Sequence, residues 1–250
     1  MLLETSQFWR AGIIVEKVVP VSSVAERDAK PRRSRTSVSE PSASDRLLDA
    51  AERLFAEHGM SDVGLRAIST AANVNLASIS YHFGSKEKLV EEVFRRRAEK
   101  IAGDRILGLK RALADPDKTL RLERIVRAFL ESGFTGGDTP ESAARFARLR
   151  ARISTEDTDL ARRLLSECFD AGSRQFLAAL AEILPDLDAE QVAWRFHSML
   201  GVMVYTMANP GRIQALTEGY CDPSDYPAAV DHLVPIVAAM FRSKGSADTA

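Results

Sequence analysis

Cysteine is scarce in this 250-residue chain. Cys168 and Cys221 stand alone and far apart, which excludes a disulfide framework and any Cys-x-x-Cys pair and fits a reducing cytoplasm. The four histidines, His58, His82, His197 and His232, form no His-x-x-x-His pair, so no metal site is expected. Long hydrophobic runs are missing too. The longest candidate, 199–207, is too short to span a bilayer, and Glu16 and Lys17 interrupt the mildly apolar stretch 13–24, so neither a membrane span nor a signal peptide is expected. Net charge is −1, which argues against a protein that coats nucleic acid through bulk attraction. No Gly-x-Ser-x-Gly, P-loop or Gly-x-Gly-x-x-Gly motif occurs, and no acid–base or nucleophile constellation stands out. The expectation is a cytoplasmic, non-enzymatic protein with no cofactor.

Sustained β alternation is also absent, and what is present is helical periodicity. The stretch 30–44 is polar and rich in Ser and Pro, with a basic cluster at Lys30, Arg32, Arg33 and Arg35. It cannot bury enough apolar surface to offset its ordering entropy, so residues 1–43 are expected to be a disordered tail, and 244–250 a second one. The basic cluster reads either as a solvated linker or as an arm that touches phosphates. From Ser44, a plausible N-cap, Leu47, Leu48, Ala51, Leu54 and Phe55 fall at helical spacing, with Gly59 as the stop. Further helices are expected at 119–133, 141–154, 157–183, 189–208 and 226–243, divided by Gly and Pro punctuation. The fold class is all-α, with a first helical part at 44–100 and a second helical domain at 101–243.

Two short helices follow the first, separated by Asn73-Val74-Asn75. Such a braced pair is the helix-turn-helix arrangement. Asn73 suits a left-handed turn residue, Val74 can plug the core, and Asn75 can cap the recognition helix. Ile79 and Phe83, four apart, face inward and leave Leu76, Ala77, Ser78, Ser80, Tyr81 and His82 toward the groove. Ser78 and Ser80 can bond base edges or phosphates, Ala77 can meet a thymine methyl, and Tyr81 and His82 can donate to phosphates. Leu76 either contacts a base methyl or shields the helix start. Lys86, in the first turn of the next helix, suits a phosphate, as does that helix N-terminus. Arg66 lies near the DNA or is a solvated charge. Residues 45–100 carry nine basic and nine acidic side chains, so contact must come from local donors rather than bulk charge.

The runs 47–59, Leu65-Arg66-Ala67-Ile68 and Tyr81-His82-Phe83-Gly84-Ser85-Lys86-Glu87-Lys88-Leu89 resemble the DNA-binding domain of the TetR/AcrR family of transcriptional regulators. Gly64 stands where that family often has Thr or Ser, removing a side-chain phosphate contact while still serving as an N-cap; Asn73 replaces the usual turn Gly. The resemblance implies a homodimer, a double-stranded DNA operator and a small-molecule effector. Its two recognition helices would stand about 34 Å apart, one DNA turn. The dimer stripes implied are Phe196, Met199, Leu200 and Met203, then Leu233, Val237 and Met240; the alternative is that both stripes face the monomer core. Residues 75–86, 194–201 and 232–235 more loosely resemble a fatty-acid-responsive pseudomonad subgroup, which implies a cavity for a fatty acid or acyl-CoA. Phe129, Phe134, Phe146, Leu149, Phe169 and Phe176 would line it, with Arg145, Arg148 or Arg152 at the acidic head. Otherwise these aromatics are core and these arginines a solvated face. The competing function is a DNA-bound regulator that answers to a protein partner and has no small-molecule inducer.

Overall fold

The structure, a computed structural model, describes residues 41–209 and 211–243. Of the expected tail 1–43, residues 1–40 lie outside the described residues, and Ser42 and Ala43 instead begin the first helix; the expected tail 244–250 also lies outside the described residues. Helix α1, Ala43–His58, is capped by Ser42 and not by Ser44. Ser42 Oγ accepts from the Asp45 amide at 3.1 Å, and the Asp45 carboxylate accepts from the Ser42 amide at 3.3 Å. That reciprocal box requires an acceptor three residues into the helix, and Asp45 holds that position only if Ser42 is the cap. The helix stops at Gly59, whose φ of 89° suits a residue without Cβ.

Three helices follow: α2 (Leu65–Ala72), α3 (Leu76–His82) and the 29-residue α4 (Lys86–Ala114). Then come α5 (Arg121–Phe134), α6 (Pro140–Thr155) and α7 (Asp159–Leu165). One helix was expected over 157–183. Instead a π-helical turn, Ser166–Asp170, joins α7 to α8 (Ala171–Ile183). Turns of this kind insert an extra residue into the helical phase and often mark functional positions. The chain closes with α9 (Ala189–Ala208), a short α10 (Arg212–Leu216) and α11 (Tyr226–Arg242). α9 ends at Asn209 in the left-handed conformation, φ 37°. The five residues of α10 are too few to show a period, and no helix was expected there from the sequence.

Two apolar clusters organise these helices. In the first, Leu47, Phe55, Ile68, Ile79, Leu89 and Phe94 from α1 to α4 close over Phe146, Leu149 and Ile153 of α6 and Leu164 of α7. In the second, Phe129 packs edge-to-face on Phe176 at 5.0 Å and on Phe196 at 5.1 Å. Val192, Met199, Val237 and Phe241 complete it. α4 contributes to both, through Leu89 and Phe94 near its start and Leu109 and Ala112 near its end.

Polar ties reinforce the first cluster. The buried Glu52 carboxylate of α1 lies 3.2 Å from Arg97 and 3.6 Å from Arg96 on α4, and Arg97 reaches on to Asp138 at 2.7 Å. Arg152 of α6 donates to the carbonyls of Ala56 and Glu57 at 3.0 Å each, oxygens left open by the end of α1. Deleting the Glu52 carboxylate removes the buried counter-charge between these helices and leaves Arg96 and Arg97 to the exposed carboxylates of Asp49 and Asp138. Glu52→Ala is therefore expected to destabilise the chain by about 3 kcal/mol, read from urea unfolding midpoints; a loss near zero would mean that water replaces the carboxylate.

Candidate nucleic-acid interface and ligand cavity

The turn between α2 and α3 forms as its residue types demand. Asn73 adopts φ 51°, ψ 50°, the Val74 amide donates back to the Ser69 carbonyl at 3.0 Å, and Val74 rests half-buried on the first core. Asn75 Oδ1 accepts from the Ala77 amide at 2.9 Å and starts α3. Ile79 is fully buried and Phe83 half-buried against the same core. That anchoring leaves Leu76, Ala77, Ser80, Tyr81 and His82 exposed, with Ser78 half-buried beside them. Tyr81 is 85% exposed for a large aromatic ring, and it meets His82 edge-on at 5.1 Å.

Around this face, Arg66 is exposed on α2. Gly64 caps α2 with φ −85°, and a Cβ there would meet nothing within 4 Å. The position tolerates a side chain and simply lacks one. Lys86 opens α4, its Nζ 3.4 Å from the Ser61 carbonyl, and Ser85 Oγ caps that helix by accepting from the Lys88 amide. Between Asp62 and Glu87 no acidic residue occurs, so Arg66 and Lys86 are the charged side chains of this stretch although the segment around it counts as neutral.

Of the cavities that open among the later helices, two are lined by aromatics expected to hold a ligand. The larger, about 720 Å³, is lined by Phe134, Pro140, Tyr226 and Val230, and by charged groups that pair locally, among them Arg127 with Asp231 at 2.7 Å. The second, about 430 Å³, lies between α4, the π-turn, α6, α8 and α9, with Arg105, Arg150, Phe169, Leu200, Met203 and Val204 in its wall. Of the aromatics proposed to line a cavity, Phe169 borders the second and Phe134 the first. Phe129 and Phe176 are instead fully buried in the second cluster, while Phe146 packs on Phe94 and Leu149 lies in the first. Arg145 and Arg148 are half-buried on α6 and line neither cavity, and Arg152 is engaged with the end of α1. The guanidiniums that do reach the second cavity, Arg105 and Arg150, escaped the sequence reading. A signal existed: Arg105 continues the buried stripe Ala98, Ile101, Leu109 and Ala112, and Arg150 follows Phe146 by four residues.

Comparison with known proteins supplies the family. Residues 47–93 match the model for bacterial regulatory proteins of the tetR family, and residues 127–240 match that for the tetracyclin repressor-like C-terminal domain. The HTH-type transcriptional regulator BetI of Agrobacterium fabrum is 30% identical over 154 residues, 62% of this chain and 71% of BetI. The chain belongs to the TetR family. It is a helix-turn-helix DNA-binding transcriptional regulator and not an enzyme. Two solved structures share the fold of this TetR-family chain. One is PfmR from Thermus thermophilus, with TM-score 0.56 and 17% identity, matched over 80% of this chain and 97% of PfmR. The other is the fatty acid degradation regulator FadR from Bacillus halodurans, with TM-score 0.54 and 17% identity, matched over 82% of this chain and all of FadR.

The dimer stripes need correction. Phe196, Met199, Met203 and Val237 are at most 5% exposed in a single chain and belong to its own second core, so they have no surface to offer a partner. Leu200, Leu233 and Met240 are half-buried against the same core. The opposite faces carry the exposed residues: Trp194, His197, Ser198, Gly201 and Tyr205 on α9, and Ile236 on α11. Among the described residues, no helix is long and apolar enough to cross a membrane.

Removing the Asn75 side chain frees the Ala77 amide at the start of α3. Asn75→Ala is expected to lower stability by about 1 kcal/mol in denaturant titrations, the usual cost of an N-cap. An unchanged midpoint would mean that water caps the helix equally well.

Proposed function

We propose that this chain is a homodimeric repressor that holds a palindromic operator through α3 and leaves it when a small apolar or acyl ligand enters the C-terminal helices. In this reading residues 44–100 bind DNA and 101–243 carry the effector and dimer surfaces. Ala77, Ser78, Ser80 and Leu76 face base edges in the major groove. Tyr81, His82, Arg66 and Lys86 reach phosphates, Asn75 and Gly64 serve as helix caps near the backbone, and the N-terminus of α4 adds its amides.

The observation that carries the ligand response is the cavity of about 430 Å³ against α4, the same unbroken helix that begins at Lys86 beside the recognition helix. Its volume suits a small organic ligand. An open cavity favours an effector over regulation by a protein partner alone, for which a filled core would serve. The structural likeness to a regulator of fatty acid degradation supports an acyl ligand. A second copy would cover the exposed face of α9 and α11. Trp194, Tyr205 and Ile236 supply apolar area there, and Gly201, whose Cβ direction is empty to 4 Å, lets a partner helix approach closely. His197 and Gly201 also border the cavity, so a ligand would lie beside the partner and act on the spacing of the two recognition helices.

A mobility shift against the DNA upstream of the protein's own gene tests the operator, with nonspecific competitor present. Lys86→Ala is expected to weaken binding to every sequence alike and to lower the salt slope by about one ion; equal slopes for mutant and parent would sink the phosphate role. Gly201→Glu is expected to convert a dimer into a monomer at micromolar concentration, read by light scattering on a sizing column, because it places a charge where two helices close. A mutant that stays dimeric moves the interface away from α9.

A further inference from the structure

Arg105 and Arg150 are each 3% exposed, and among the described residues neither has a carboxylate within ion-pair distance. Arg105 donates through Nε to Ser132 Oγ at 3.1 Å and through Nη2 to the Phe129 carbonyl at 3.5 Å, with its guanidinium 3.9 Å above the Phe129 ring. Arg150 is served worse. Its Nη2 meets only the thioethers of Met207 at 3.0 Å and Met203 at 3.5 Å, and its Nη1 is buried without any partner. Thioether sulfur is a weak acceptor, and a buried cation without a counter-charge costs several kcal/mol.

The two side chains converge. Arg105 Nη2 also approaches the Met203 sulfur, at 3.9 Å, and the two guanidinium carbons lie 5.6 and 5.4 Å from the centre of the Phe169 ring. Burial pushes Arg150 down to about 10, and burial together with the Arg150 charge lowers Arg105 well below its usual range. At neutral pH Arg150 is still a cation. The other titratable groups at hand do not neutralise the pair. Asp170 borders the cavity, but its carboxylate accepts from Ser166 Oγ at 2.8 Å and faces Arg174 at 3.7 Å; His197 is exposed, and Tyr226 is a neutral phenol held protonated by burial.

We propose that this cavity binds an organic oxyanion, with the charged head between Arg105 and Arg150 and the apolar body against Phe169, Leu200 and Val204. The inference rests on the ligand-switch reading above and narrows the effector to an acid with a hydrocarbon part. A bare inorganic ion would leave much of a volume of about 430 Å³ and its apolar wall unfilled. A carboxylate and a phosphate monoester share the required chemistry, since both accept from a guanidinium fork.

Calorimetric titration of the full chain with hexanoate, hexyl phosphate and 1-hexanol tests the proposal, on the parent, Arg150→Met and Arg150→Lys. One of the two anions is expected to bind about tenfold or more tighter than hexanol, and the stronger of them identifies the head group. Arg150→Met is expected to lose about tenfold for that anion and nothing for hexanol, with Arg150→Lys between. Without ligand, Arg150→Met is expected to melt no lower than the parent, because it removes an unpaired charge at similar volume. Equal binding of hexanol, no binding of either anion, an unchanged anion affinity in Arg150→Met, or a misfolded or less stable Arg150→Met each overturns the proposal. Mobility shifts run in parallel separate the two readings. A parent that binds anion yet holds DNA unchanged ends the switch and keeps the anion site, whereas one that binds DNA but no anion ends only the anion site.

Discussion

The unbroken length of α4 is the constraint on which the rest of this chain depends. Twenty-nine residues of α-helix span about 44 Å, and no Pro interrupts them. Its first turns close the core beneath α3, its middle carries Arg96 and Arg97 onto Glu52, and its far half presents Arg105 to the cavity and Leu109 and Ala112 to the second cluster. Hydrogen-bonded helix transmits axial displacement with little compression, so the two ends cannot reposition independently. α6 runs a parallel connection over a shorter path. Arg150 reaches the cavity, and two residues later Arg152 holds the carbonyls that end α1. A bound group that draws Arg105 and Arg150 together would therefore pull on both helices that brace the DNA-binding part.

The helix-turn-helix was legible in the sequence because its requirements are local. A left-handed turn accepts Gly or Asn and penalises other residues, so Asn73 announces its own conformation, and φ 51° follows. The Asn75 cap and the inward pair Ile79 and Phe83 are equally local statements. α9 begins and ends where punctuation and periodicity put it, at 189 and 208. The start of α1 was misplaced by two residues because Ser42 and Ser44 are both good caps, and only the reciprocal bond with Asp45 decides between them.

The burial of four of the seven expected dimer residues has a different origin. Periodicity shows which face of a helix is buried and says nothing about what covers it. Phe196, Met199 and Met203 form a clean stripe because their own chain covers them, and the face left for a partner reads as mixed, with Trp194, His197, Gly201 and Tyr205 among polar neighbours. The cavity failed in the reverse direction. Arg145, Arg148 and Arg152 attracted notice as a charged row, whereas Arg150 stands between them in sequence but on the apolar face. An arginine on an apolar stripe is an exception to burial rules, and such exceptions carry more information than a row of solvated charges.

Buried charge also explains why one cavity suits an anionic switch and the other does not. In the larger cavity, lined in part by Arg127 and Asp231, an entering anion would have to displace an existing carboxylate, so its net gain is small. At Arg105 and Arg150 the guanidiniums face a serine hydroxyl, a backbone carbonyl, an aromatic ring and two thioethers, uncharged partners that stabilise a cation less than a carboxylate does. The difference between ligand-bound and ligand-free states is then large for an oxyanion and small for a neutral molecule of the same shape. A ligand shifts a conformational equilibrium only by the difference in its affinity for the two states. Leaving the guanidiniums without a carboxylate thus sacrifices stability in the empty protein, and under the proposed switch an anion would move the recognition helix only to the extent that one conformation brings the two guanidiniums closer to its head than the other does.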